Sequence, residues 1–217
     1  MQSSIKSGPL VDQPLGQAFV KKGIIAQAKL NMALEVQKHR KNKYLGEILQ
    51  YLGVSQHKIN ETLDYLNKRK KIGEILIDLE LITPQELVQA LKEQKCIHSK
   101  MGIRAPLGVL LFKMGFVNRR DYMRVLSKHF VLPIISLEGY RILPSLQDVL
   151  GKRFIFKHQV LVLKNDGEKI EIALGIPTPS LMQEIRKSIP PHQEIIFYLA
   201  DPLEIESVQN LLLSKQI

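Results

Sequence analysis

Residues 71–94 read KIGEILIDLELITPQELVQALKEQ, and the same pattern occurs at three other places in the chain. The other copies read PLGQAFVKKGIIAQAKLNMALEVQ at residues 14–37, YLGEILQYLGVSQHKINETLDYL at 44–66 and PLGVLLFKMGFVNRRDYMRVLSKH at 106–129. Successive copies start 27 to 35 residues apart, a period typical of stacked supersecondary units. Such units bury their apolar faces only by packing on one another, so we expect any ligand or partner site where copies meet.

Each copy is predicted to form a helix, a tight turn and a second helix. Gly23, Gly53 and Gly115 occupy the position that suits a left-handed residue at the end of the first helix. Copy three has Glu80 there. A glutamate in that conformation costs about 1 to 2 kcal/mol, so either the turn differs or the strain is tolerated.

The second helices have recognisable start signals. Residues 83–86 read TPQE, which supplies a cap, a proline at the first helical position and a glutamate at the third. Asn118 begins a weaker version of this signal, and Ser55 is the expected cap in copy two. Beyond these starts, apolar residues recur at i, i+3 and i+4, which places them on one helix face. The i+7 position is polar in three copies, as Gln37, Gln94 and His129.

The pattern changes after about residue 137. Residues 160–163 and 169–174 predict two strands, and Asn-Asp-Gly at 165–167 predicts the hairpin turn between them. We therefore predict an α+β protein in three parts. Residues 1–13 form an N-terminal tail, residues 14–137 an all-α array of four helix-turn-helix repeats, and residues 138–217 a small α+β sandwich of order α-β-β-α-β-α.

Charge is distributed unevenly along the chain. Residues 1–135 carry 22 Lys and Arg against 11 Asp and Glu, whereas residues 136–217 carry 9 against 10. This excess indicates either an anionic partner or a solvated basic surface, and charge alone does not distinguish the two. Cys96 is the single cysteine, which rules out an internal disulfide framework and predicts a reducing, cytoplasmic location. No apolar run is long enough to predict a membrane span.

Enzymatic and metal-binding functions have little support in the sequence. It lacks the Gly-x-x-x-x-Gly-Lys-Ser/Thr phosphate loop, a nucleophile with an oriented base, and zinc-ligand spacing. We therefore predict a non-enzymatic protein with no cofactor and no metal. Nucleic-acid binding is disfavoured because no second helix begins with residues suited to reading base edges.

The repeats resemble the Arg-Leu-Gly motif of MshEN domains, the N-terminal regions of type II secretion and type IV pilus assembly ATPases. In copy one the matching residues are Leu15, Gly16, Phe19, Val20, Gly23, Ile24, Ile25, Leu30, Leu34 and Gln37, and residues 71–94 follow the motif too, apart from Glu80. Residues 138–217 are similar to the small domain that follows in those ATPases. The leading Arg of the family motif is replaced by Pro14, Tyr44, Lys71 and Pro106.

The resemblance implies binding of cyclic di-GMP, a bacterial second messenger, between adjacent copies. Carried over to copies three and four, the ligand-binding residues are Lys71, Ile72, Gly73, Leu87, Leu91, Gln94, Arg104, Leu107, Gly108, Tyr122, Leu126 and His129. The second choice, in copies one and two, is Leu15, Gly16, Leu30, Leu34, Gln37, Leu45, Gly46, Ile59 and Leu63. The implied protein partner is a component of secretion, pilus or motility machinery.

Two alternatives stay open at this level. The apolar members of both sets are also explained as core residues, and the motif glycines by close helix packing instead of phosphate approach. The whole chain is also explained as a protein-docking adaptor that has the fold without the nucleotide site.

Overall fold

A computed structural model describes residues 14–41, 43–102 and 105–214 of the chain. The chain divides into two compact units, Met1–Val117 and Asn118–Ile217. Copies one to three and the first helix of copy four belong to the first unit, and the second helix of copy four belongs to the second unit.

The described part of the first unit consists of short helices alternating with longer ones. The bounds are α1 Leu15–Lys21, α2 Gln27–His39, α3 Leu45–Tyr51, α4 Gln56–Tyr65, α5 Ile72–Asp78, α6 Pro84–Met101 and α7 Leu107–Lys113. Helix α6 runs seven residues past Gln94, so much of the segment between copies three and four is helical. Gly102, with φ of +67°, is the C-cap residue that follows its last residue, Met101.

Each short helix ends in the same turn, including the one in copy three. In copy one the Ile24 N–H donates to the carbonyl of Phe19 at 3.0 Å and the Gly23 N–H to that of Val20 at 2.9 Å, which is the Schellman pattern. In copy three Glu80 makes the equivalent bond to Ile77 at 2.9 Å, with φ of +55°. The turn therefore does not differ, and Glu80 retains the left-handed strain.

The start signals of the longer helices are partly confirmed. Thr83 and Glu86 form a reciprocal cap: the Glu86 N–H donates to Thr83 Oγ1 at 3.2 Å and the Thr83 N–H to Glu86 Oε2 at 2.7 Å. Asn118 Oδ1 accepts from the Asp121 N–H at 2.9 Å. Ser55 is the N-cap residue of α4 as predicted, but its side chain makes no capping hydrogen bond to that helix.

The second unit contains helices and a three-stranded sheet. Its elements are α8 Arg119–Phe130, a 3-10 helix Pro144–Val149, α9 Lys152–His158, β1 Val160–Asn165, β2 Lys169–Leu174, α10 Pro179–Ser188, β3 Glu194–Leu199 and α11 Pro202–Ser214. The sheet order is β1-β2-β3, with β1 antiparallel and β3 parallel to β2. The α+β class and the Asn-Asp-Gly hairpin are confirmed. The first helix of the predicted order was expected to start at Leu143, where the structure has the 3-10 helix, and α9 was not predicted.

Two buried glutamines hold the second unit together at its strand edge. Gln147 is 2% exposed and exchanges two hydrogen bonds with Val162 of β1: Nε2 donates to the carbonyl at 2.8 Å and Oε1 accepts from the N–H at 3.0 Å. Gln209 on α11 donates to the carbonyls of Ile155 and Val160 at 2.8 and 3.2 Å. These side chains supply hydrogen bonds to backbone groups of β1 and, through Ile155, of α9.

Candidate functional site

The motif glycines of copies one and three are packed against the motif leucines of the same copies. A Cβ built on Gly16 would lie 2.5 Å from Leu30 Cδ1, and one built on Gly73 would lie 2.9 Å from Leu87 Cδ2. Real Cβ atoms do not approach carbon this closely, so each glycine provides the space that a leucine fills. For Gly16 and Gly73, close helix packing is the explanation that the geometry supports.

The polar residue that ends a copy ties that copy to the next one. Gln37 Nε2 donates to the carbonyl of Lys43 at 3.2 Å, and Gln94 Nε2 donates to the carbonyl of Ala105 at 2.6 Å. Lys43 and Ala105 each come directly before the opening residue of the following copy. In copy two the equivalent residue, Leu66, is buried at 1% exposure and packs in the core instead.

Copy three presents its motif face to solvent more than copy one does. Gly16 is buried and Leu30 is 1% exposed, whereas Gly73 and Leu87 are only half-buried. One turn further along α6, Leu91 is 39% exposed. We call Gly73, Leu87, Leu91 and Gln94 the copy-three strip. The strip runs from the start of α5 along one face of α6 to the junction with α7.

A lysine stands at the end of the copy-three strip. Lys71 is exposed and directly precedes α5, where its backbone N–H donates to Glu74 Oε2 at 3.1 Å. Among the residues that the structure describes, its ammonium takes part in no ion pair, whereas Arg69 pairs with Asp64 at 2.7 Å. The strip offers apolar surface and an amide, and Lys71 adds an accessible cation beside it. A pocket for a nucleotide uses groups of these three kinds.

The first-choice ligand residues fall in both units. Lys71, Ile72 and Gly73 open α5; Leu87, Leu91 and Gln94 lie on α6; and Leu107 and Gly108 open α7. Of these eight, Gly73 packs against Leu87, and Gln94 donates to the carbonyl of Ala105, two residues before α7. Arg104 lies outside the described residues.

The remaining first-choice residues, Tyr122, Leu126 and His129, lie on α8 in the second unit. Leu126 is buried at 8% exposure. Burial raises the pKa of the Tyr122 phenol. The His129 ring lies edge-on to Phe130 with ring centres 4.7 Å apart.

The second-choice residues of copies one and two are mostly buried. Gly16, Leu30, Gly46, Ile59 and Leu63 are buried, Leu15, Gln37 and Leu45 are half-buried, and Leu34 is 41% exposed. Copies one and two therefore offer Leu34 as their exposed apolar motif residue, at the position that Leu91 holds in copy three.

Sequence reasoning missed a polar cluster between copies two and three. Tyr44 Oη donates to Asp78 Oδ2 at 2.6 Å, and the Lys70 ammonium bonds to the same oxygen. Tyr44 and Asp78 are 34 residues apart, and neither stands in a local pattern that predicts the contact.

The described residues were also compared with the requirements of a metal site and of a membrane-spanning helix. They contain no group of three or more His, Cys, Asp or Glu side chains placed to hold a metal ion. None of the helices in residues 14–41, 43–102 and 105–214 combines the length and apolar character that crossing a bilayer requires.

Comparison with known families gives a direct match in the second part of the chain. Residues 130–216 match the MshEN domain family. The match covers the end of α8 and the α+β elements that follow, and the four repeats lie before all but its first residues. No curated protein matches the sequence.

Two solved structures are similar to part of this chain. The structure of MshE with cdg, cyclic di-GMP, is 21% identical, and the similarity covers 66% of this chain and 99% of that one with a TM-score of 0.58. A structure of the N-terminal domain of XpsE is 17% identical, covers 66% of this chain and 93% of that one, and has a TM-score of 0.49. At these identities the MshE likeness establishes the fold.

Proposed function

We propose that this protein is a non-enzymatic, cytoplasmic regulatory module that binds cyclic di-GMP at the copy-three strip. In this scheme the helix pairs of residues 14–137 are four copies of one unit. The observation that carries it is the accessible Gly73–Leu87–Leu91 surface, which follows the exposed Lys71 in the chain. The likeness of fold to MshE, whose structure is with cyclic di-GMP, supports this choice of ligand.

The chemistry of the strip fits half of the dinucleotide. Leu87 and Leu91 offer apolar surface for the faces of guanine and ribose. Gln94 uses Nε2 to hold Ala105, which leaves Oε1 to accept a hydrogen bond from a guanine N–H. Lys71 supplies the charge for a phosphate oxygen. We assign the phosphate to this ammonium instead of to backbone amides at Gly73, because Leu87 occupies the space over that glycine.

Titration calorimetry of the full chain with cyclic di-GMP tests the proposal. We expect saturable binding at micromolar protein by the wild-type chain. Leu91→Glu should abolish it, because the glutamate places a charge where guanine or ribose packs and repels phosphate. Leu34→Glu is the matched control, since Leu34 holds the same motif position in copy one and is 41% exposed against 39% for Leu91.

The outcomes separate the two candidate sites. Loss of binding in Leu34→Glu but not in Leu91→Glu would move the site to copies one and two. The absence of saturable heat with the wild-type chain would reject nucleotide binding altogether. Gly108→Asp should also abolish binding, and unchanged affinity in that variant would exclude the start of α7 from the site.

The role of Lys71 has its own test. Lys71→Met should weaken binding about tenfold or more, because hydrogen bonds to charged groups contribute about 1.5 to 3 kcal/mol. Lys58→Met removes the same charge from an exposed position on α4 and controls for general electrostatic attraction. Equal effects of the two variants would show that Lys71 makes no specific contact.

A second candidate function is protein docking without nucleotide. It is favoured by the packing of Gly16 and Gly73 on leucines and by the bonds of Gln37 and Gln94 to the next copy, because these contacts explain the motif through folding alone. Under this alternative a secretion, pilus or motility component binds the chain equally with and without cyclic di-GMP. A nucleotide-dependent pull-down would argue against it.

A further inference from the structure

Tyr44, Lys70 and Asp78 connect copy two to copy three. Tyr44 precedes α3, Lys70 lies just before α5, and Asp78 is the last residue of α5. The Tyr44 phenol donates to Asp78 Oδ2 at 2.6 Å, and the Lys70 ammonium bonds to the same oxygen. The same ammonium lies 5.0 Å from the centre of the Tyr44 ring, within the range of a cation–π contact.

Asp78 occupies an unfavourable helix position for an anion. The C-terminal end of a helix carries partial negative charge, so a carboxylate there is destabilising unless cations or donors compensate. Asp78 has both a cation and a phenol donor on one oxygen. The pKa of Tyr44 is raised, first by burial and then by its bond to Asp78, so the phenol remains a donor at physiological pH.

Lys70 and Lys71 are consecutive but have different partners. Lys71 has φ of −69° and ψ of 149°, close to polyproline II, in which successive side chains are about 120° apart. While Lys70 is held on Asp78, the Lys71 side chain therefore points in a different direction, away from the Asp78 contact.

We propose that Tyr44, Lys70 and Asp78 form a latch that fixes copy two on copy three and positions Lys71 for the ligand. The effect of the latch on cyclic di-GMP binding rests on the proposed function. The latch itself rests on the contacts among Tyr44, Lys70 and Asp78. Asp78 touches no ligand in this scheme and acts as a positioning residue.

The first measurement is thermal melting, which does not involve nucleotide. Alanine is a better helix former than aspartate and removes an anion from a helix C-terminus, so without a latch Asp78→Ala should melt at a higher temperature. If the latch is present, we expect the melting temperature of Asp78→Ala to be about 2 to 4 °C lower than that of the wild-type chain. Tyr44→Phe should lower the melting temperature of the wild-type chain but not that of Asp78→Ala. A rise in Asp78→Ala, or additive effects in the double variant, would overturn the latch.

The second measurement is calorimetric affinity for cyclic di-GMP. Asp78→Ala removes a negative charge from the unit, which by simple electrostatics strengthens binding of an anion. The latch predicts weaker binding instead, by about fivefold or more, the lower end of typical coupling between sites. Glu35→Ala is the matched control, because it removes an exposed carboxylate that pairs with Lys38 at 2.6 Å on α2.

The two proposals fail in different ways. If the wild-type chain binds and Asp78→Ala binds as well as Glu35→Ala does, the positioning role is overturned and the proposed function stands. If the wild-type chain does not bind, the proposed function is overturned together with any effect of the latch on affinity. The melting experiment then still decides whether copies two and three are latched.

Discussion

Replacing the motif glycines with alanine tests the central packing feature of the repeats. At Gly16 the new methyl group would lie 2.5 Å from Leu30 Cδ1, about 1 Å inside the 3.5 to 4.0 Å of ordinary carbon contacts. Leu30 is 1% exposed and has no solvent to turn into. We expect Gly16→Ala to destabilise the protein.

The expected magnitude follows from two opposing effects. Overpacking of a buried site costs about 1 to 3 kcal/mol. Replacing a helical glycine by alanine contributes at most about 1 kcal/mol in the opposite direction. The net loss is about 1 kcal/mol, or about 2 to 4 °C in melting temperature for a chain of this size.

Gly73→Ala is the matched comparison in copy three. Its methyl group would lie 2.9 Å from Leu87 Cδ2, and Leu87 is half-buried, so this leucine can rotate toward solvent. The helical gain then offsets the clash, and Gly73→Ala should be neutral or slightly stabilising.

Thermal unfolding followed by circular dichroism measures both variants. Gly16→Ala with Leu30→Ala should lose less stability than the two single variants together, because the new methyl group fills part of the space left by the leucine. If Gly16→Ala proves as stable as Gly73→Ala, the glycine is not required for leucine packing and the reasoning fails.

Three other predictions concern single sites. Glu80→Gly should raise the unfolding free energy by roughly 0.5 to 1 kcal/mol, because relief of about 1 to 2 kcal/mol of left-handed strain exceeds the added flexibility of the unfolded chain; a lower melting temperature would contradict this. Gln147→Leu should lower the unfolding free energy, measured in urea, by about 2 to 5 kcal/mol, because it leaves the buried N–H and carbonyl of Val162 unpaired; a loss under 1 kcal/mol would show that these groups find other partners. The pKa of Glu86 is held below its ordinary value of 4.5 by hydrogen bonds from the backbone and side chain of Thr83, so its contribution to stability is present above pH 4.5 and is lost as pH falls through the lowered pKa. Unfolding between pH 5 and pH 2 should therefore show a shallower loss of stability in Glu86→Gln than in the wild-type chain, and equal slopes would refute the assignment.

The local elements of the fold were predictable because their signals are local. The cap at Thr83 and the hairpin at residues 165–167 depend on a few adjacent residues whose side chains satisfy nearby backbone groups. Helix α9 was missed because its sequence, KRFIFKH, is short, lacks a capping side chain and contains residues that also favour strands. Cap and spacing signals are insufficient for a helix that tertiary contacts stabilise.

The candidate site was predictable only as a set of positions. The repeated motif gives Leu30 and Leu87 the same place, and the sequence cannot state that the first is buried and the second half-buried. That difference depends on which neighbouring helices cover each copy. The latch residues Tyr44 and Asp78 could not be paired in advance for the same reason, since a contact over 34 residues depends on how copies stack.

The amino-acid order alone established the recurring helix pairs, their turns and caps, the α+β class and the family resemblance. These properties arise from backbone conformation and from apolar spacing within about twenty residues, which every copy carries in its own sequence. Exposure of the copy-three strip, the partners of Lys70 and the filling of the glycine gaps arise only once copies pack together. Burial and long-range hydrogen bonds depend on the surface that a neighbour covers, and identical motifs therefore acquire different environments.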